Sequence, residues 1–275
     1  MAESVEQQLL RRWVRKPSAV DHKYSRGVVT FVTGSETFPG AALIGIHAAL
    51  STGVGMVRYL GPDTVTAAVL TQFPEVVVSP GRSDVSVVGS GIAAASSPRD
   101  SARVAQALAT PEIHVVDAGA LASAEESGPW AILTPHEGEL VSLYRRLGLS
   151  GAQRAREQAG QVAADLGVWV VAKGAQTTVV GPSGKSWTMP LASPWLATAG
   201  TGDALAGVIG ALAAGAAAAV AEDPTLLGEI AVAAVVLHTQ AAAEATQRNG
   251  GGPFTVSDLC GALASVVGHI VSEQE

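Results

Sequence analysis

Short apolar runs recur along the chain and alternate with longer segments of helical character. Most of these runs lack alternating polar positions, as is typical of parallel strands that are buried on both faces. We predict strands at residues 28–32, 55–60, 76–78, 85–88, 113–116, 131–133 and 168–172. The clearest predicted helices lie at residues 41–51, 98–108, 137–147 and 153–166. Strands that alternate with helices in this way predict a doubly wound α/β sheet.

The last third of the chain departs from this alternation. The run Gly181-Pro182-Ser183-Gly184 separates residues 177–180 from 185–189, which predicts a β-hairpin within or beside the sheet. A long helix is predicted to begin at Asp203, and another at residues 226–247. Ser257 and Asp258 are the predicted N-caps of a last helix. No linker is long enough to separate two domains, so we predict a single domain over residues 1–275.

Neither end of the chain nor its most apolar stretch indicates a membrane protein. Residues 1–16 carry charges on both sides of Leu9 and Leu10, unlike a signal peptide. The apolar residues 204–220 reach only the short limit for a membrane span, and acidic residues bracket them. We therefore predict a buried core helix there and a cytoplasmic protein without a membrane partner.

Composition excludes several functional classes. The net charge is −7 and no basic stripe is present, which argues against a nucleic-acid partner. The single cysteine, Cys260, excludes a disulfide framework and a Cys-based zinc site, and it fits a reducing compartment. No histidine pair has metal-binding spacing. His47 and His238 lie in apolar helices and are predicted to be packed or exposed, not ligands.

A glycine-rich turn that opens directly into a helix is the strongest chemical signal. It reads Ala199-Gly200-Thr201-Gly202-Asp203-Ala204-Leu205-Ala206-Gly207. Free backbone amides and the helix dipole favour an anion at such a helix start, and glycines allow it to approach closely. An acidic residue beside an anion site suits a general base that takes a proton from an attacking hydroxyl. The alternative is an ordinary helix start with an Asp cap.

The tetrapeptide within this turn resembles the G-[ST]-G-D anion-hole motif of ribokinase-like kinases. That resemblance implies that Asp203 is the catalytic base and that Gly200, Thr201 and Gly202 hold the transferring phosphoryl group. The longer string over residues 193–207 resembles the NAD(P)H-hydrate dehydratase family, in particular its actinobacterial branch.

Three further segments resemble this family in the same order along the chain. The first runs from His22-Lys23-Tyr24-Ser25-Arg26-Gly27 through Thr33-Gly34-Ser35 to Pro39-Gly40-Ala41-Ala42. The second is Leu133-Thr134-Pro135-His136-Glu137-Gly138-Glu139, and the third is Lys173-Gly174-Ala175-Gln176-Thr177. The similarity spans about residues 21–243. It implies a ribokinase-like three-layer α/β/α sandwich with a mostly parallel central sheet.

Two of these segments are predicted to contact the substrate. The 34–40 loop follows a strand and precedes a helix, where open α/β sheets bind ligands, and the resemblance implicates Gly40 and Ala41. His136 ends a buried strand. It is either a hydrogen-bonded structural residue or, as the resemblance implies, a substrate contact. Glu139 is either a solvated charge in the first helical turn or a second-shell partner for Mg²⁺.

The third segment is predicted to bind a nucleotide. A cation and exposed amides at a strand end suit phosphate oxygens, although a plain strand-to-loop turn has the same appearance. The resemblance assigns the nucleotide contacts to the following residues: Lys173, Gly174, Ala175, Gln176, Thr177 and Gly202.

The 89–94 segment allows a different interpretation. It fits G-x-G-x-x-A, and Asp117 ends the next strand about where a dinucleotide fold keeps its ribose-binding acid, which would indicate a dehydrogenase. Such a fingerprint usually lies on the first strand of a domain, whereas this one follows a middle strand. The dehydratase family has a G-P-G-x-G segment here that lines the substrate site. This chain departs from the family at Ser90, Ala93 and Gly119, and Gly91 remains a predicted substrate contact.

The resemblance implies dehydration of hydrated NADH and NADPH. ADP or ATP with Mg²⁺ would phosphorylate the ring hydroxyl, and phosphate would then leave; family members from bacteria favour ADP. The resemblance also implies a homotetramer. A separate NAD(P)H-hydrate epimerase is expected, because only about 20 residues precede the matched region. The alternatives are a kinase of a small alcohol such as hydroxyethylthiazole or a hydroxymethylpyrimidine, a non-catalytic nucleotide-binding regulator and, third, the dehydrogenase.

Overall fold

A computed structural model describes residues 4–274 and contains one eight-stranded sheet in the order β2-β1-β3-β4-β5-β6-β7-β8. Strands β1 to β6 pair in parallel, and β7 and β8 continue the sheet in antiparallel fashion. The strands are β1 Val28–Val32, β2 Met56–Tyr59, β3 Val85–Val88, β4 Ile113–Val116, β5 Ala131–Leu133, β6 Trp169–Ala172, β7 Thr178–Val180 and β8 Ser186–Thr188. The predicted hairpin and the mostly parallel sheet are therefore confirmed.

Helices cover both faces of this sheet. They are α1 Val5–Trp13, α2 Gly40–Thr52, α3 Asp63–Gln72, α4 Pro98–Leu108, α5 Glu137–Arg146, α6 Ala155–Leu166, α7 Thr201–Gly215, α8 Ala217–Glu222, α9 Leu226–Arg248 and α10 Val256–Ser272. Two 3₁₀ segments, Ala118–Glu126 and Pro194–Leu196, complete the elements. One core packs α2, α7, α9 and α10 against one sheet face, and a second core packs α4, α5 and α6 against the other. The three-layer prediction is confirmed.

Helices α2 and α7 cross with their backbones in contact. A Cβ on Gly207 would collide with the carbonyl oxygen of Gly45, and one on Gly45 would lie 3.0 Å from the Phe31 ring. Only glycine permits so close an approach. The crossing fixes the start of α7 beside the start of α2, and both helix starts lie at the carboxyl edge of the sheet.

Several boundary predictions were wrong. Residues 76–78 form a single bridge, Arg58 with Val77, instead of a strand. The predicted core helix over 204–220 is buried for most of its length but divides at Ala216, which ends α7 and precedes α8. Helix α10 begins earlier than predicted, because Thr255 and Asp258 form its capping box. Helices α1 and α3 were not predicted.

Helix α9 is the one helix within residues 4–274 with the length and hydropathy needed to cross a membrane. However, 72% of its most apolar window is buried inside the protein. Core helices of soluble proteins have the same properties, so α9 is weak evidence for a membrane span.

Candidate functional site

The first turn of α7 presents free backbone amides. Gly200 precedes the helix with a left-handed φ of 95°, and a Cβ there would lie 2.8 Å from Ile44. No side chain caps the turn, because the Thr201 hydroxyl instead donates to the carbonyls of Leu196 at 2.9 Å and Thr198 at 2.8 Å. The first intrahelical bond is donated by Ala204 to Gly200. The Thr201 amide donates to the Thr198 carbonyl at 3.3 Å. The amides of Gly202 and Asp203, which precede the first intrahelical bond, are therefore the ones offered to an anion.

Lys173 brings a cation to the same turn. A Cβ on Gly202 would lie 3.2 Å from the Lys173 Nζ atom, so the ammonium group lies against the backbone of this glycine. Lys173 follows β6, and its side chain is 18% exposed. The predicted anion hole and the first residue of the predicted nucleotide segment are thus brought together.

Asp117 holds this lysine in place and is itself almost fully buried. Lys173 Nζ lies 2.7 Å from Asp117 Oδ1, which also accepts a 2.7 Å hydrogen bond from the Thr134 hydroxyl. The Ser90 hydroxyl donates to Oδ2 at 2.8 Å. Both carboxylate oxygens are therefore paired, as a buried charge requires. This role was missed in the sequence, where Asp117 was considered only as a ribose-binding acid.

Asp203 lies in the first turn of α7, as predicted, and its pKa is raised to about 7. Burial is the main cause, and the negative charges of Asp117 and Glu139 add to it, whereas Lys173 opposes it. Within residues 4–274, no hydrogen bond holds this carboxyl group. A carboxyl group with a pKa near neutrality can accept a proton efficiently from a hydroxyl.

The predicted substrate glycines lie next to one another. A Cβ on Gly91 would lie 2.6 Å from the Ala41 Cβ atom, and the Gly34 amide donates to the Ser90 carbonyl at 2.7 Å. Gly40 begins α2 and has open space where a side chain would be. The 34–40 loop, the start of α2 and the Gly91 loop therefore form one wall.

The Thr33 hydroxyl in this region is buried, and it has no hydrogen-bond partner among the described residues. Thr33 lies between β1 and the 34–40 loop. Buried hydroxyls are normally paired with protein, water or a ligand. Its position beside the wall is consistent with a ligand-facing loop.

His136 lies at the edge of the site, where its backbone bridges to that of Lys173. Its Nδ1 atom accepts from the amides of Gly138 at 3.0 Å and Glu139 at 3.3 Å, and Glu139 Oε2 accepts from the His136 amide at 2.9 Å. This capping box starts α5 and leaves the proton of a neutral His136 ring on Nε2. His136 is therefore a structural cap, and 61% of its side chain remains exposed to a ligand.

The remaining residues of the nucleotide segment form an open loop between β6 and β7. Gly174, Ala175 and Gln176 are exposed, whereas Thr177 is buried and its hydroxyl donates to the Gly174 carbonyl at 3.3 Å. The Ala175 carbonyl accepts from the amide of Ala192 at 2.9 Å. That bond ties the loop to the segment that leads into α7.

The structure removes both features that suggested a dehydrogenase. The 89–94 segment does not open a helix, because α4 begins only at Pro98. Both carboxylate oxygens of Asp117 are paired with Ser90, Thr134 and Lys173, and its side chain is only 3% exposed, so it is not accessible to a ribose. A dinucleotide fingerprint needs both a helix start for the pyrophosphate and a free acid for the ribose.

The departure from the family pattern at position 119 has a steric cause. A Cβ on Gly119 would collide with the carbonyl oxygen of Ile92 and would lie 2.8 Å from that of Ala93. The 89–94 segment therefore occupies the space that a second acidic side chain would need.

His238 makes a contact that the sequence did not predict. His238 is packed, as predicted, but its Nε2 atom also contacts the Thr201 carbonyl at 3.0 Å. Burial lowers its pKa to about 4, so the neutral ring donates to the first turn of α7.

In contrast, Gly27 of the predicted N-terminal motif packs against Ala214, at the far end of α7. That segment therefore lies about 16 Å along the helix axis from Asp203, since a helix rises by about 1.5 Å per residue.

No group of three or more His, Cys, Asp or Glu side chains within residues 4–274 is arranged to hold a metal ion. Near the anion hole, Glu139 is the carboxylate that remains partly exposed, at 23% of its side chain. Mg²⁺ commonly binds through one or two carboxylates and the phosphates of a nucleotide, so this donor set fits a nucleotide-bound Mg²⁺ rather than a closed protein site.

Comparison with known proteins gives matches over most of the chain. Residues 29–262 match a sequence model of the NAD(P)H-hydrate dehydratase family. The bifunctional NAD(P)H-hydrate repair enzyme Nnr of Mycobacterium tuberculosis is 38% identical over 214 residues, which cover 72% of this chain. The same alignment covers 43% of that relative, so the chain spans less than half the length of the curated relatives that it matches.

Solved structures agree with the fold. The ADP/ATP-dependent NAD(P)H-hydrate dehydratase from Bacillus subtilis, co-crystallised with ATP and Mg²⁺, superposes with a TM-score of 0.77 at 25% identity. The alignment covers 96% of this chain and 97% of that one. A ribokinase-like superfamily protein from Enterococcus faecalis superposes with a TM-score of 0.80 at 19% identity over 98% of this chain and 99% of the other. The ribokinase-like fold prediction is confirmed.

Proposed function

The chain belongs to the NAD(P)H-hydrate dehydratase family, and from this premise we propose that it dehydrates hydrated NADH and NADPH with an adenine nucleotide as phosphoryl donor. One observation carries the proposal. The Asp203 carboxyl group, with a pKa near 7, lies in a helix turn that also offers free amides and the Lys173 ammonium group. A base, an anion hole and a cation meet there, which are the groups that phosphoryl transfer to a hydroxyl requires.

The wall formed by Gly40, Ala41 and Gly91 is the proposed site of the hydrated nicotinamide ring. Gly40 leaves open space where a flat ring can approach the backbone. Gly91 instead allows its loop to pack directly against Ala41, which holds the wall together. The exposed ring of His136 is the proposed polar contact at the opposite side. The ring hydroxyl then lies within reach of Asp203.

The nucleotide is proposed to lie along the exposed 173–177 loop with its terminal phosphate at the amides of the first turn of α7. Lys173 contacts both regions, because it begins the loop and its ammonium group lies against Gly202. A cation in this position neutralises phosphate charge during binding and transfer.

The reaction has two steps in this arrangement. Asp203 takes the proton of the ring hydroxyl, whose oxygen bonds to the terminal phosphorus as the bond to the leaving nucleotide phosphate breaks. The ring then expels inorganic phosphate and loses a proton, which restores the double bond of NADH or NADPH. Amides that stabilise the growing charge contribute a few kcal/mol to such a step.

Mg²⁺ is expected to arrive with the nucleotide, and Glu139 is the residue that would hold it together with the phosphates. When bound, Mg²⁺ supplies charge neutralisation at the phosphates. The chain's own contribution is the position of Glu139, which its capping box with His136 fixes at the start of α5.

A direct assay tests the proposal. Purified protein is incubated with hydrated NADH, Mg²⁺ and either ADP or ATP, and the recovery of NADH absorbance is followed. We expect recovery that depends on the nucleotide, with ADP as the better donor, and one inorganic phosphate released per NADH. A stable phosphoester in place of phosphate would identify a small-alcohol kinase, and nucleotide binding without turnover would identify a regulator.

Three properties of the working protein also belong to this proposal. Because the relatives are named bifunctional repair enzymes, we propose that an NAD(P)H-hydrate epimerase activity accompanies this dehydratase. A homotetramer in the cytoplasm is the proposed working form. Light scattering of the purified protein tests the assembly.

A further inference from the structure

A cleft of about 640 Å³ runs along the sheet face that α4 covers. Leu60 and Gly61, which follow β2, line one end, and Glu112, which precedes β4, lines the other. The cleft therefore begins at the carboxyl edge of the sheet, where Asp203 lies, and descends toward the opposite edge. Its volume is within the range of pockets that hold drug-sized molecules.

Polar side chains form the floor and one wall of this cleft. Thr30 and Ser86 interrupt the apolar strands β1 and β3, and both are buried. The Thr30 hydroxyl donates to that of Ser83 at 2.9 Å, and the Ser86 hydroxyl donates to Glu112. From α4, Gln106 lines the wall. A sheet face that only packed against a helix would carry apolar side chains at these positions, so the lining suits a ligand with hydroxyl and amide groups.

The upper end of the cleft is joined to the proposed substrate wall. The Arg103 guanidinium lines the cleft and donates to the carbonyls of Gly34 at 3.3 Å and Leu60 at 3.5 Å. Tyr59 also lines it and donates to the Thr33 carbonyl at 2.9 Å. The 34–40 loop is therefore in contact with the proposed nicotinamide site on one side and with the cleft on the other.

The geometry of transfer sets the direction in which the substrate extends. The donor nucleotide lies on the β6–β7 side, along the 173–177 loop. Attacking and leaving oxygens lie roughly in line in phosphoryl transfer, so the acceptor approaches from the side opposite the donor. The part of the dinucleotide beyond the nicotinamide then extends away from β6, toward β1 and β2, where the cleft opens.

We propose that the adenylate half of the hydrated dinucleotide binds in this cleft while its nicotinamide half lies at Asp203. The inference rests on the proposed function and adds a second substrate region to it. Hydroxyls of Thr30 and Ser86 and the amide of Gln106 offer donors and acceptors for ribose and adenine. The Arg103 guanidinium, which Asp100 holds in an ion pair, is the cation nearest to the linking phosphates in this arrangement. Binding energy from this remote half would favour the dinucleotide over a truncated substrate.

A pair of substrates and a pair of variants test this assignment. Gln106→Trp places an indole in the cleft from an exposed position on α4. Ala105→Trp adds the same side chain at the neighbouring exposed position, which does not line the cleft. Each protein is assayed with hydrated NADH and with the hydrate of reduced nicotinamide mononucleotide, which lacks the adenylate half.

We expect Gln106→Trp to raise the KM for hydrated NADH about tenfold, because the indole blocks the contacts of the adenylate half. The same variant should leave kcat/KM for the mononucleotide hydrate unchanged. Ala105→Trp should resemble the wild-type protein with both substrates. Equal effects of Gln106→Trp on both substrates, or none on either, would overturn the assignment; an accompanying change of oligomeric mass would identify the cleft as a subunit contact. A wild-type protein that turns over neither substrate would refute the proposed function itself.

Discussion

Lys173 and Asp117 form an ion pair of 2.7 Å between the ends of strands β6 and β4, across the intervening strand β5. Strand β5 contributes Thr134, which donates to the same carboxylate oxygen. Three strand ends are thereby joined at the floor of the site. The two partners act oppositely on Asp203, because the negative charge of Asp117 raises the pKa of Asp203 and the positive charge of Lys173 lowers it.

This opposition predicts that substitution of either partner shifts the pH profile in a different direction. Asp117→Asn removes a negative charge and should lower the pKa of Asp203, whereas Lys173→Met should raise it. Because the deprotonated carboxylate is the active form, the acidic limb of kcat/KM should move to lower pH in Asp117→Asn and to higher pH in Lys173→Met. Measurements of kcat/KM between pH 5 and 9, on both sides of neutrality, test this prediction.

Other titratable groups near Asp203 provide controls for the pH-profile experiment. Glu139 also raises the pKa of Asp203, so Glu139→Gln should shift the limb in the same direction as Asp117→Asn. His238 is neutral near pH 7, and His47 on the adjacent helix α2 packs against Phe73. If both partners of the ion pair shifted the limb the same way, the electrostatic interpretation would be wrong.

Asp203 itself should be indispensable to turnover. Asp203→Asn keeps the shape of the side chain but cannot accept the hydroxyl proton, so kcat should fall by about 10²–10⁴-fold. Nucleotide affinity, measured by calorimetry with ADP and Mg²⁺, should fall little, because the amides and Lys173 are unchanged. Retention of more than about a tenth of the wild-type kcat would contradict the general-base role.

The same substitution should stabilise the protein, with a defined pH dependence. The pKa of Asp203 rises from 3.8 to about 7 in the folded state, so ionisation favours the unfolded chain increasingly as pH rises through this interval, and the effect is constant above it. Asp203→Asn should therefore match the wild type near pH 4 and exceed it by roughly 1–3 kcal/mol at pH 8. Urea unfolding at the two pH values measures the difference, and equal gains at both would exclude this cause.

Gly202 should be required for activity and not for stability. A methyl group there would lie 3.2 Å from the Lys173 Nζ atom and displace it from the anion hole. Gly202→Ala should lower kcat about tenfold or more, since small misplacements of charged groups are costly to transfer, while helix propensity offsets any loss of stability. Gly261→Ala, at an open position of α10, is the matched control and should leave kcat unchanged.

Restoring the acidic residue that the family often has at position 119 should be harmful. Gly119→Asp would drive a side chain into the backbone of Ile92 and Ala93. We expect a loss of about 2–4 kcal/mol in the free energy of unfolding, the range of severe packing defects. Thermal unfolding measures the loss, and Gly268→Asp is the control, because this glycine of α10 also has no left-handed backbone and has open space where a side chain would be.

The sequence predicted the elements that repeat a simple pattern. The buried strands and the Gly200–Asp203 turn follow from local composition, because apolar runs and glycines have strong local preferences. The single bridge at Val77 did not follow, because local composition does not show how far an apolar run pairs with its neighbour. The hairpin pairing of β7 with β8 was predicted from its turn residues, whereas the order of the parallel strands was not.

The same limit applies to the site. The substrate glycines, Lys173 and Asp203 were found through motifs, and the structure brings them together. Asp117 and His238 were missed in their present roles, because their partners are 56 and 37 residues away along the chain. Chemistry offered one indication: an aspartate that is buried at a strand end must be paired with a cation and with hydrogen-bond donors from other parts of the chain.

The contact between Gly45 and Gly207 limits how the protein can change its specificity. The backbones of α2 and α7 are in direct contact at this crossing, so the spacing of the two helix starts does not depend on side-chain rotamers. Side-chain substitutions along the crossing therefore cannot widen the gap between Ala41 and Asp203 in small steps. Acceptance of a bulkier acceptor would have to evolve in the connecting loops, such as residues 35–39 and 91–97. We expect those loops to carry the variation that distinguishes relatives with different substrates.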